Sequence, residues 1–333
     1  MHVTSYRRGV VALVRVHRSS PKPAFSDPSH SPPMLLITES QVAAILTPAT
    51  ARKALHEAFV QMGRGQASVL ARHRAAGELD GASLALSAMG AVMPAAGVMG
   101  SKVYSTRNGQ FQFVVTLFSA LTGLPLATLE ANELTRLRTS AATAVAADAL
   151  ARPDAKVLAI FGAGTQARAH AEALMLVRKF ERVLICARSG GAEFAASIAG
   201  AEVVDAATAA READVIVAAT RSSEALFDGA LVKPGAFVAA VGSSKPAARE
   251  LDDALLSRAA LIVVEWKTAA EAEAGEFRRA APGVIRPERV FELGALLTDP
   301  KPRHPDDIVV YKSVGIGLED VAIAHWIHTQ LTA

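Results

Sequence analysis

The sequence predicts an α/β protein, in which a doubly wound parallel sheet accompanies a second domain of mixed α+β structure. From Ala155 to about Ser313, short apolar runs alternate with helical patterns, as they do where crossover helices connect parallel strands. Before that stretch, from Met34 to about Arg138, helical and strand patterns also alternate, but two of the strand-like runs flank a hairpin signal. We therefore assign residues 139–315 to the parallel-sheet domain, and residues 34–138 plus 316–333 to the mixed domain.

The first 33 residues differ from the rest of the chain. Residues 17–33 are rich in proline and serine, and the apolar run before them is short and interrupted by Arg15. No small-residue cleavage pattern follows, which argues against a signal peptide. We expect residues 1–33 to form a flexible extension and the first domain to begin at Met34.

Caps and turns divide the mixed domain into elements. Ser40 predicts the cap of a first helix, and Thr47 or Thr50 the start of a second helix that ends near Gly63. The other predicted elements are a hairpin around residues 121–125, a long alanine-rich helix over 138–150 and an amphipathic helix over 318–330.

Short apolar runs predict six strands in the parallel-sheet domain, and a further apolar strand ends at Lys312 and Ser313. The six strands cover residues 157–161, 183–186, 202–204, 215–219, 237–241 and 261–264.

Length, charge and cysteine content exclude several classes of protein. The 333 residues suffice for two domains with cores, the formal net charge is only +3, and no apolar run has transmembrane length. These properties argue against nucleic-acid and membrane partners. The single cysteine, Cys186, excludes a disulfide within the chain and agrees with a reducing compartment, so we expect a cytoplasmic protein.

The first strand of the parallel-sheet domain runs directly into a glycine turn, VLAIFGAGTQARAHAEAL (157–174). In a dinucleotide-binding turn the first glycine permits the bend, the second admits the pyrophosphate, and a small third residue lets the helix pack closely. The helix N-terminus then favours the phosphates. A plain strand-to-helix turn in an alanine-rich chain is the alternative, but the strand and helix on either side favour a Rossmann-type cofactor site. Its phosphate contacts are predicted at Gly162, Ala163, Gly164, Thr165 and Gln166.

The end of the second strand favours NADP(H) over NAD(H). An NAD site usually has an acidic residue there, which binds the ribose 2′-hydroxyl group. This chain has Ala187, Arg188 and Ser189 instead. Arg188 and Ser189 can bind a 2′-phosphate, although Arg188 can equally be a solvated loop charge. We expect NADPH as the preferred cofactor, with NADH as the alternative.

Three basic residues of the mixed domain are candidates for binding a substrate anion: Arg72, Lys102 and Arg138. Lys102 lies among small and apolar residues, where burial is costly unless the ammonium group meets an anion. Taken alone, each cation is better explained as a surface residue or as one member of an ion pair. Three of them in one dinucleotide-binding chain favour a substrate carboxylate, and Met89, within a run of small residues, suggests a compact apolar pocket.

Further candidates follow the predicted strand ends, where ligands bind in such sheets. Ser244 is expected near the nicotinamide end of the cofactor. The histidines show no metal-ligand spacing, so we predict no metal site. The remaining predicted cofactor contacts are Arg138, Thr139, Thr220, Val241, Gly242 and Ser313.

Together these segments resemble the ornithine cyclodeaminase/mu-crystallin family. The similar motifs are GSKVYS, LTGLPLATLEANELTRLRTSAA, FGAGTQARAHAEAL, AVGSSKPAARELDD and YKSVGIGLEDVAIA, in the family's order. The resemblance implies a homodimer built through the first domain, and a substrate carboxylate held by Arg72, Lys102 and Arg138. The family's Pro-Pro-Arg motif is Leu70-Ala71-Arg72 here.

The resemblance also implies a reaction. Ornithine cyclodeaminases use bound NAD and an aspartate after the fifth strand, where this chain has Gly-Ser-Ser at 242–244. Serine is not a base at neutral pH without a partner. The segment is more similar to ketimine reductases, which implies NADPH-dependent reduction of cyclic ketimine carboxylates. The best substrate is 1-pyrroline-2-carboxylate, giving L-proline, and the second is 1-piperideine-2-carboxylate, giving L-pipecolate.

In this mechanism the predicted catalytic residues are Arg72, Lys102 and Ser244. Arg72 and Lys102 clamp the carboxylate, and Lys102 or a water held by Ser244 supplies the proton. Three alternatives stay open: an alanine-type amino-acid dehydrogenase, an ornithine cyclodeaminase, and a non-enzymatic protein that binds NADPH and a small effector.

Overall fold

Two sheets, one of six strands and one of eight, form the computed structural model, which describes residues 33–333. All neighbouring strands of the eight-stranded sheet are parallel, whereas the six-stranded sheet is mostly antiparallel. The predicted α/β fold class is therefore confirmed. The extension predicted for residues 1–33 lies outside the described residues, except for Pro33.

The six-stranded sheet has the order β1-β6-β5-β4-β3-β2, in which only the β1–β6 pair is parallel. Its strands are β1 (Leu35–Ile37), β2 (Ser68–Leu79), β3 (Ala82–Met93), β4 (Val98–Arg107), β5 (Gln110–Ser119) and β6 (Pro125–Glu130). The helices α1 (Glu39–Ile45) and α2 (Pro48–Gly63) follow β1, and α3 (Asn132–Leu150) leads towards the second sheet. The predicted hairpin is the turn between β5 and β6, and Thr47 caps α2 as predicted.

Two helix starts differ from the prediction. The cap of α1 is Thr38 and not Ser40, because Thr38 and Gln41 exchange hydrogen bonds in a capping box. The long helix α3 begins at Asn132, six residues before the predicted start, so it spans the domain boundary predicted after residue 138. No side chain next to its start caps it; instead the carboxylate of Glu39, at the start of α1, accepts the N–H group of Glu133 at 3.0 Å.

The eight-stranded sheet has the order β13-β12-β14-β11-β10-β7-β8-β9. Its strands are β7 (Val157–Phe161), β8 (Arg182–Cys186), β9 (Ala201–Val203), β10 (Val215–Ala218), β11 (Phe237–Ala240), β12 (Leu261–Val264), β13 (Val290–Glu292) and β14 (Val309–Lys312). The six predicted strands are present, with each bound within one residue. The sequence analysis missed β13, which has only three residues.

Helices cover the eight-stranded sheet and connect its strands. They are α4 (Thr165–Met175), α5 (Gly191–Ala196), α6 (Ala206–Glu212), α7 (Asp253–Arg258), α8 (Lys267–Glu273), α9 (Gly275–Arg278) and α10 (Leu293–Thr298). Because β7 is flanked by β8 on one side and β10 on the other, the strand order reverses between β7 and β10. The crevice at this switch point is where such sheets bind ligands.

The last helix, α11 (Gly317–Thr332), returns to the six-stranded sheet. Its start packs directly on β3, since a Cβ atom on Gly317 would lie 2.3 Å from the backbone nitrogen of Gly90. Val321 then packs against β4 at Gly100. No helix within residues 33–333 is both long enough and apolar enough to cross a membrane.

Candidate active site

A cavity of about 190 Å³ lies between the two sheets, at the carboxyl ends of β11 and β14. Its lining contains no aspartate or glutamate. Nine of the predicted site residues line it: Arg72, Lys102, Arg138, Thr139, Gln166, Val241, Gly242, Ser244 and Ser313. The sequence analysis missed the other six: Tyr104, Phe111, Phe113, Thr135, Val314 and Gly315.

A β-bulge aims Arg72 at this cavity. The pairing of β2 with β3 passes from Leu70 opposite Gly90 to His73 opposite Ala88, so β2 contains one extra residue. In regular pairing Arg72 would face Ala88, on the opposite face of the sheet. The extra residue instead turns its side chain to the cavity face, as bulges near active sites often do.

Arg72 connects the two sheets. Its Nη1 atom forms an ion pair with Glu273 at the end of α8. Its Nη2 atom donates to the carbonyl oxygens of Val314 and Gly315, at 2.9 Å and 3.0 Å, and lies 3.5 Å from the sulfur of Met89. Met89 is buried on the far side of Arg72, where it lines a separate small cleft and not the main cavity.

Lys102 lies at the centre of the cavity wall and is 1% exposed. Its Nζ atom donates to Oδ1 of Asp320 on α11 at 2.7 Å. It also lies over the rings of Phe113 and Tyr104, 5.2 Å and 5.9 Å from their centroids. Burial and the nearby Arg138 cation lower the pKa of Lys102 to about 8, although Asp320 opposes this shift.

Arg138 is held by the same helix. Its Nη1 atom lies 2.6 Å from Glu319, and its Nε atom lies 3.3 Å from Oδ1 of Asp320. Against the effect of burial, these two carboxylates raise the pKa of Arg138. Burial also raises the pKa of Glu319 to about 7, although Arg138 opposes this change.

The acidic partners of the cations were not predicted. Glu319 and Asp320 are adjacent in the motif GLEDVAIA and are fully buried, although acidic residues are rarely buried without a cation. Two acidic residues between apolar ones at the start of a helix were a usable signal. The sequence does not show which cations they meet.

Several polar atoms around the cavity lack a protein partner. Within residues 33–333, Thr135 Oγ1, Gln166 Oε1 and Arg72 Nε are buried and form no hydrogen bond. All three residues line the cavity. Buried polar groups are almost always satisfied, so such a set is expected where a polar ligand binds.

The glycine turn fits a dinucleotide phosphate. Gly162 has φ +109°, and a Cβ atom there would lie 2.7 Å from the carbonyl oxygen of Ala219. Gly164 is exposed, no atom lies within 4 Å of the position a Cβ atom would take, and no side chain caps α4 at this residue. Ala167 is fully buried, as close helix–sheet packing requires. The free N–H groups at the start of α4 are thus open to an anion.

The loop after β8 lies beside this turn. Gly162 N–H donates to the carbonyl oxygen of Cys186 at 2.8 Å, which places Ala187 next to the glycine turn. Arg188 and Ser189 follow and are exposed. The two predicted 2′-phosphate ligands therefore lie at the open end of the crevice, at the edge of the glycine turn.

A buried carboxylate, Glu250, holds the other side of the crevice. It accepts the N–H and hydroxyl groups of Thr220 at 2.8 Å and 2.7 Å, and the N–H group of Gly242 at 2.7 Å. The hydroxyl group of Thr220 is therefore engaged within the protein, and Thr220 does not line the cavity. Lys312 donates to the carbonyl oxygen of Ser243 at 2.9 Å. These contacts fix the segment that presents Ser244.

A second buried carboxylate, Glu265, fixes the segment after β14. Its oxygens accept the Ser313 hydroxyl group and the N–H groups of Val314 and Gly315, the last two at 3.2 Å. The carbonyl oxygens of this segment in turn bind Arg72. Histidine, cysteine and acidic side chains within residues 33–333 form no group of three that could hold a metal ion.

The sequence model of the ornithine cyclodeaminase/mu-crystallin family matches residues 33–333. The chain belongs to this family. The resemblance drawn from the sequence motifs is thus confirmed over nearly the whole chain.

Curated relatives are identical to this chain at about one residue in three. Mouse ketimine reductase mu-crystallin is 35% identical over 65% of this chain and 69% of its own length. The iminosuccinate reductase of Paracoccus denitrificans is 33% identical, over 87% of this chain and 94% of its own length. A Bacillus thuringiensis delta(1)-pyrroline-2-carboxylate reductase is 37% identical over 65% of this chain and 70% of its own length.

Solved structures of the family have the same fold. A probable ornithine cyclodeaminase from Bordetella pertussis is 44% identical with a TM-score of 0.86, covering 90% of this chain and 97% of its own. The Thermococcus litoralis delta(1)-pyrroline-2-carboxylate reductase, in complex with NADH and L-proline, is 26% identical with a TM-score of 0.83, covering 90% and 98%. An archaeal alanine dehydrogenase dimer with bound NAD is 28% identical with a TM-score of 0.82, covering 90% and 96%.

The three curated relatives are named as reductases of imines, and two of the three solved structures, those from Thermococcus litoralis and of the archaeal alanine dehydrogenase, contain NADH or NAD. The predicted enzyme class, an NAD(P)H-dependent oxidoreductase, is therefore confirmed.

Proposed function

We propose that the protein reduces cyclic ketimine carboxylates with NADPH, with 1-pyrroline-2-carboxylate to L-proline as the best substrate and 1-piperideine-2-carboxylate to L-pipecolate as the second. The observation that supports this most strongly is the composition of the cavity. It brings three cations and an aromatic wall together with Gln166 of α4 and with the segments that follow β11 and β14, and no carboxylate lines it. Such a cavity suits a small, flat anion.

Arg72 and Lys102 hold the substrate carboxylate in this proposal. Arg72 is fixed by Glu273 and by two carbonyl oxygens, and its buried Nε atom has no hydrogen-bond partner within residues 33–333. Lys102 faces the cavity from β4 of the same sheet, two strands away from Arg72, and Arg138 adds positive charge. Cations that are already held in place lose little conformational entropy when they bind an anion. Contacts to the carboxylate from two side chains also fix the orientation of the ring.

A bound reduced nicotinamide supplies the hydride. The rest of the reaction falls to the side chains. Lys102 donates a proton to the imine nitrogen, which its lowered pKa of about 8 favours near neutral pH. Phe113 and Tyr104 flank Lys102 and keep bulk water from its ammonium group. Ser244 lines the cavity, and its hydroxyl group can orient the imine or a water molecule there.

NADPH preference rests on Arg188 and Ser189. Both are exposed beside the glycine turn, and neither is acidic. A guanidinium group and a hydroxyl group are suited to a 2′-phosphate, whereas a ribose 2′-hydroxyl group is usually bound by a carboxylate. We expect NADH to serve as a weaker substitute.

Ornithine cyclodeamination is disfavoured by the same cavity. Its base would be an aspartate near residue 244, but Ser244 occupies that place and the nearest acids stand behind the cations as their ion-pair partners. A serine hydroxyl group without a base does not activate an amine at neutral pH.

The decisive assay follows NADPH absorbance with 1-pyrroline-2-carboxylate and with its six-membered homologue. Parallel reactions contain NADH, pyruvate with ammonia, or ornithine with NAD. Rapid oxidation of NADPH by the cyclic imines supports the proposal. Conversion of ornithine to proline would identify a cyclodeaminase, and NADPH binding without turnover of any substrate would favour a binding protein.

An open-chain imino dicarboxylate is a second candidate substrate, because a fourth cation lies at the edge of the cavity. Arg74 is exposed on β2, and its guanidinium group lies 3.4 Å from the hydroxyl group of Tyr104. It can meet a second carboxylate, such as the one that distinguishes iminosuccinate from a cyclic imine. The variant Arg74→Ala should reduce kcat/KM for iminosuccinate about tenfold and leave pyrroline carboxylate turnover within about twofold.

We propose a homodimer formed through the open face of the six-stranded sheet. Leu86, Val103 and Val114 project from this face and are 55%, 38% and 41% exposed, whereas α11 covers the other face. An archaeal neighbour with the same fold is a dimer. Light scattering on the wild type should give twice the chain mass, and Val114→Glu should give the monomer.

The cytoplasm, with its supply of NADPH, is the compartment we expect.

A further inference from the structure

Asp320 contacts the proposed proton donor without reaching the cavity itself. Its Oδ1 atom lies 2.7 Å from Nζ of Lys102. The Lys102 side chain is 1% exposed and the Asp320 side chain is fully buried. Asp320 is absent from the cavity lining, whereas Lys102 is part of it. Lys102 thus has two sides, one towards substrate and one towards a carboxylate on α11.

An ion pair that only stabilised the fold would not need this arrangement. Burying two charges is costly, and an apolar pair of similar volume is often at least as stable. The Oδ2 atom of Asp320 has no hydrogen-bond partner within residues 33–333, so this carboxylate is incompletely satisfied in a fully buried place. The charge of Asp320 and its short distance to Lys102 therefore indicate a role other than stabilising the fold.

The geometry points to Asp320 as a positioning residue, which keeps Lys102 in the ammonium form and aims one of its protons at the imine nitrogen. This inference rests on the proposed imine reduction. In that step a bound reduced nicotinamide would supply a hydride to the imine carbon, and the electron pair of the C=N π bond would move to nitrogen. The nitrogen takes a proton from Nζ of Lys102, which becomes neutral until solvent returns a proton to it.

The charges around Lys102 explain why one carboxylate has this effect. Arg138 on α3 disfavours the ammonium form, as burial does, whereas Asp320 and Glu319 on α11 favour it. Arg72 on β2 is a further cation in the cavity wall. Of these two acids, only Asp320 accepts a hydrogen bond from Lys102 within the described residues. Removing its charge should therefore make Lys102 lose its proton more easily.

Asp320→Asn tests the inference, because asparagine keeps the shape of the side chain without the charge. Lys102 must be protonated to donate, so wild-type kcat should fall as pH rises through the alkaline range. In Asp320→Asn this decline should shift to lower pH by about one unit, with kcat about tenfold lower on the plateau. The solvent deuterium isotope effect on kcat should increase, because proton transfer becomes slower.

Binding supplies a readout apart from turnover. Pyrrole-2-carboxylate is a flat anion without a reducible C=N bond, and calorimetry can follow its affinity for the wild type and the variant across pH. Its binding should weaken at a lower pH in Asp320→Asn, in parallel with the kinetic shift. NADPH affinity and the far-UV circular dichroism spectrum should not change.

Glu319→Gln is the matched control on the same helix. Its ion-pair partner is Arg138 and it makes no hydrogen bond with Lys102, so its loss should raise KM for the imine and move the alkaline decline of kcat less than Asp320→Asn does. If Asp320→Asn does not fold, Lys102→Arg tests the step on which the role of Asp320 depends, proton donation by Lys102: arginine stays charged, so the alkaline decline should vanish together with most of kcat.

An unchanged pH profile in Asp320→Asn, or a persistent alkaline decline in Lys102→Arg, would overturn the inference. Failure of the wild type to reduce any imine would instead overturn the proposed function, so the two failures are distinguishable.

Discussion

The proposed ligand crevice has a carboxylate end and a phosphate end, and the cations at the two ends differ in their surroundings. At the carboxylate end, Lys102 and Arg138 are buried and each contacts a carboxylate of α11. At the phosphate end, Arg188 lies exposed in the loop after β8. A buried cation requires an acid to remain charged, whereas an exposed one is kept charged by water. Substitutions at the carboxylate end should therefore affect the stability of the fold, whereas substitutions at the phosphate end should not.

This difference predicts how mutations should behave. At the carboxylate end, losses of activity should be large and accompanied by changes in stability. At the phosphate end, they should be smaller and confined to the cofactor.

The largest effect is expected for Lys102→Met, which removes both the anion contact and the proposed proton donor. Proton transfer by a positioned side chain contributes about 10²- to 10⁴-fold, so kcat/KM for the imine should fall about 10³-fold. Steady-state kinetics measure this loss, and NADPH affinity should be unchanged. Lys179→Met, at an exposed position, is the control. A Lys102→Met enzyme within tenfold of the wild type would place the reacting groups elsewhere.

Arg72→Met should act mainly on KM. Its hydrogen bonds to the substrate are charge-assisted, and the loss of one such contact costs about 1.5–3 kcal/mol, which raises KM about 10- to 100-fold. Burial already raises the pKa of its partner Glu273, so this acid can take up a proton when the guanidinium group is gone. The melting temperature should fall slightly. Arg211→Met, an exposed substitution on α6, should leave KM unchanged, and equal effects of the two variants would contradict the assignment.

Two alanine substitutions in the glycine turn separate binding from folding. A Cβ atom at Gly164 has open space around it in the protein but would meet the cofactor phosphates. Gly164→Ala should keep the melting temperature of the free protein and weaken dinucleotide binding about tenfold. Gly162→Ala should lower that temperature, because its φ is +109° and the Cβ atom would collide with Ala219. Calorimetry and thermal melts measure both, and equal loss of stability in both variants would refute the distinction.

Arg188→Ala is expected to have the smallest effect. An exposed contact with a 2′-phosphate is worth about 1 kcal/mol, so the preference for NADPH over NADH should fall about fivefold. Activity with NADH and the melting temperature should stay the same. Arg168→Ala, in the neighbouring helix α4, is the control, because this arginine pairs with Glu193. An unaltered cofactor preference would remove Arg188 from the site.

Local patterns in the sequence predicted much of the fold. The glycine turn between β7 and α4 was evident because it needs particular residues at fixed spacing. Six strands of the parallel sheet were located within one residue because buried strands are continuous apolar runs. The three cations were identified because lysine and arginine are conspicuous among small apolar residues.

The partners of these cations could not be found in the same way. Asp320 lies 218 positions from Lys102 along the chain, and no local rule connects them. Similarly, Glu39 caps α3 from a different helix, so the start of α3 was predicted too late. Such contacts depend on how the elements pack, and the spacing of residues along the sequence does not predict that packing.

By itself, the sequence determined the glycine turn, the parallel sheet, the family and the residue types of the candidate site. Only the tertiary structure decided the direction of Arg72, since one extra residue in β2 turns its side chain from the open face to the cavity. It alone also decided that Lys102 meets Asp320 inside the protein. The physical reason is that local periodicity fixes elements, whereas the aim and charge of a side chain depend on the neighbours that packing brings to it.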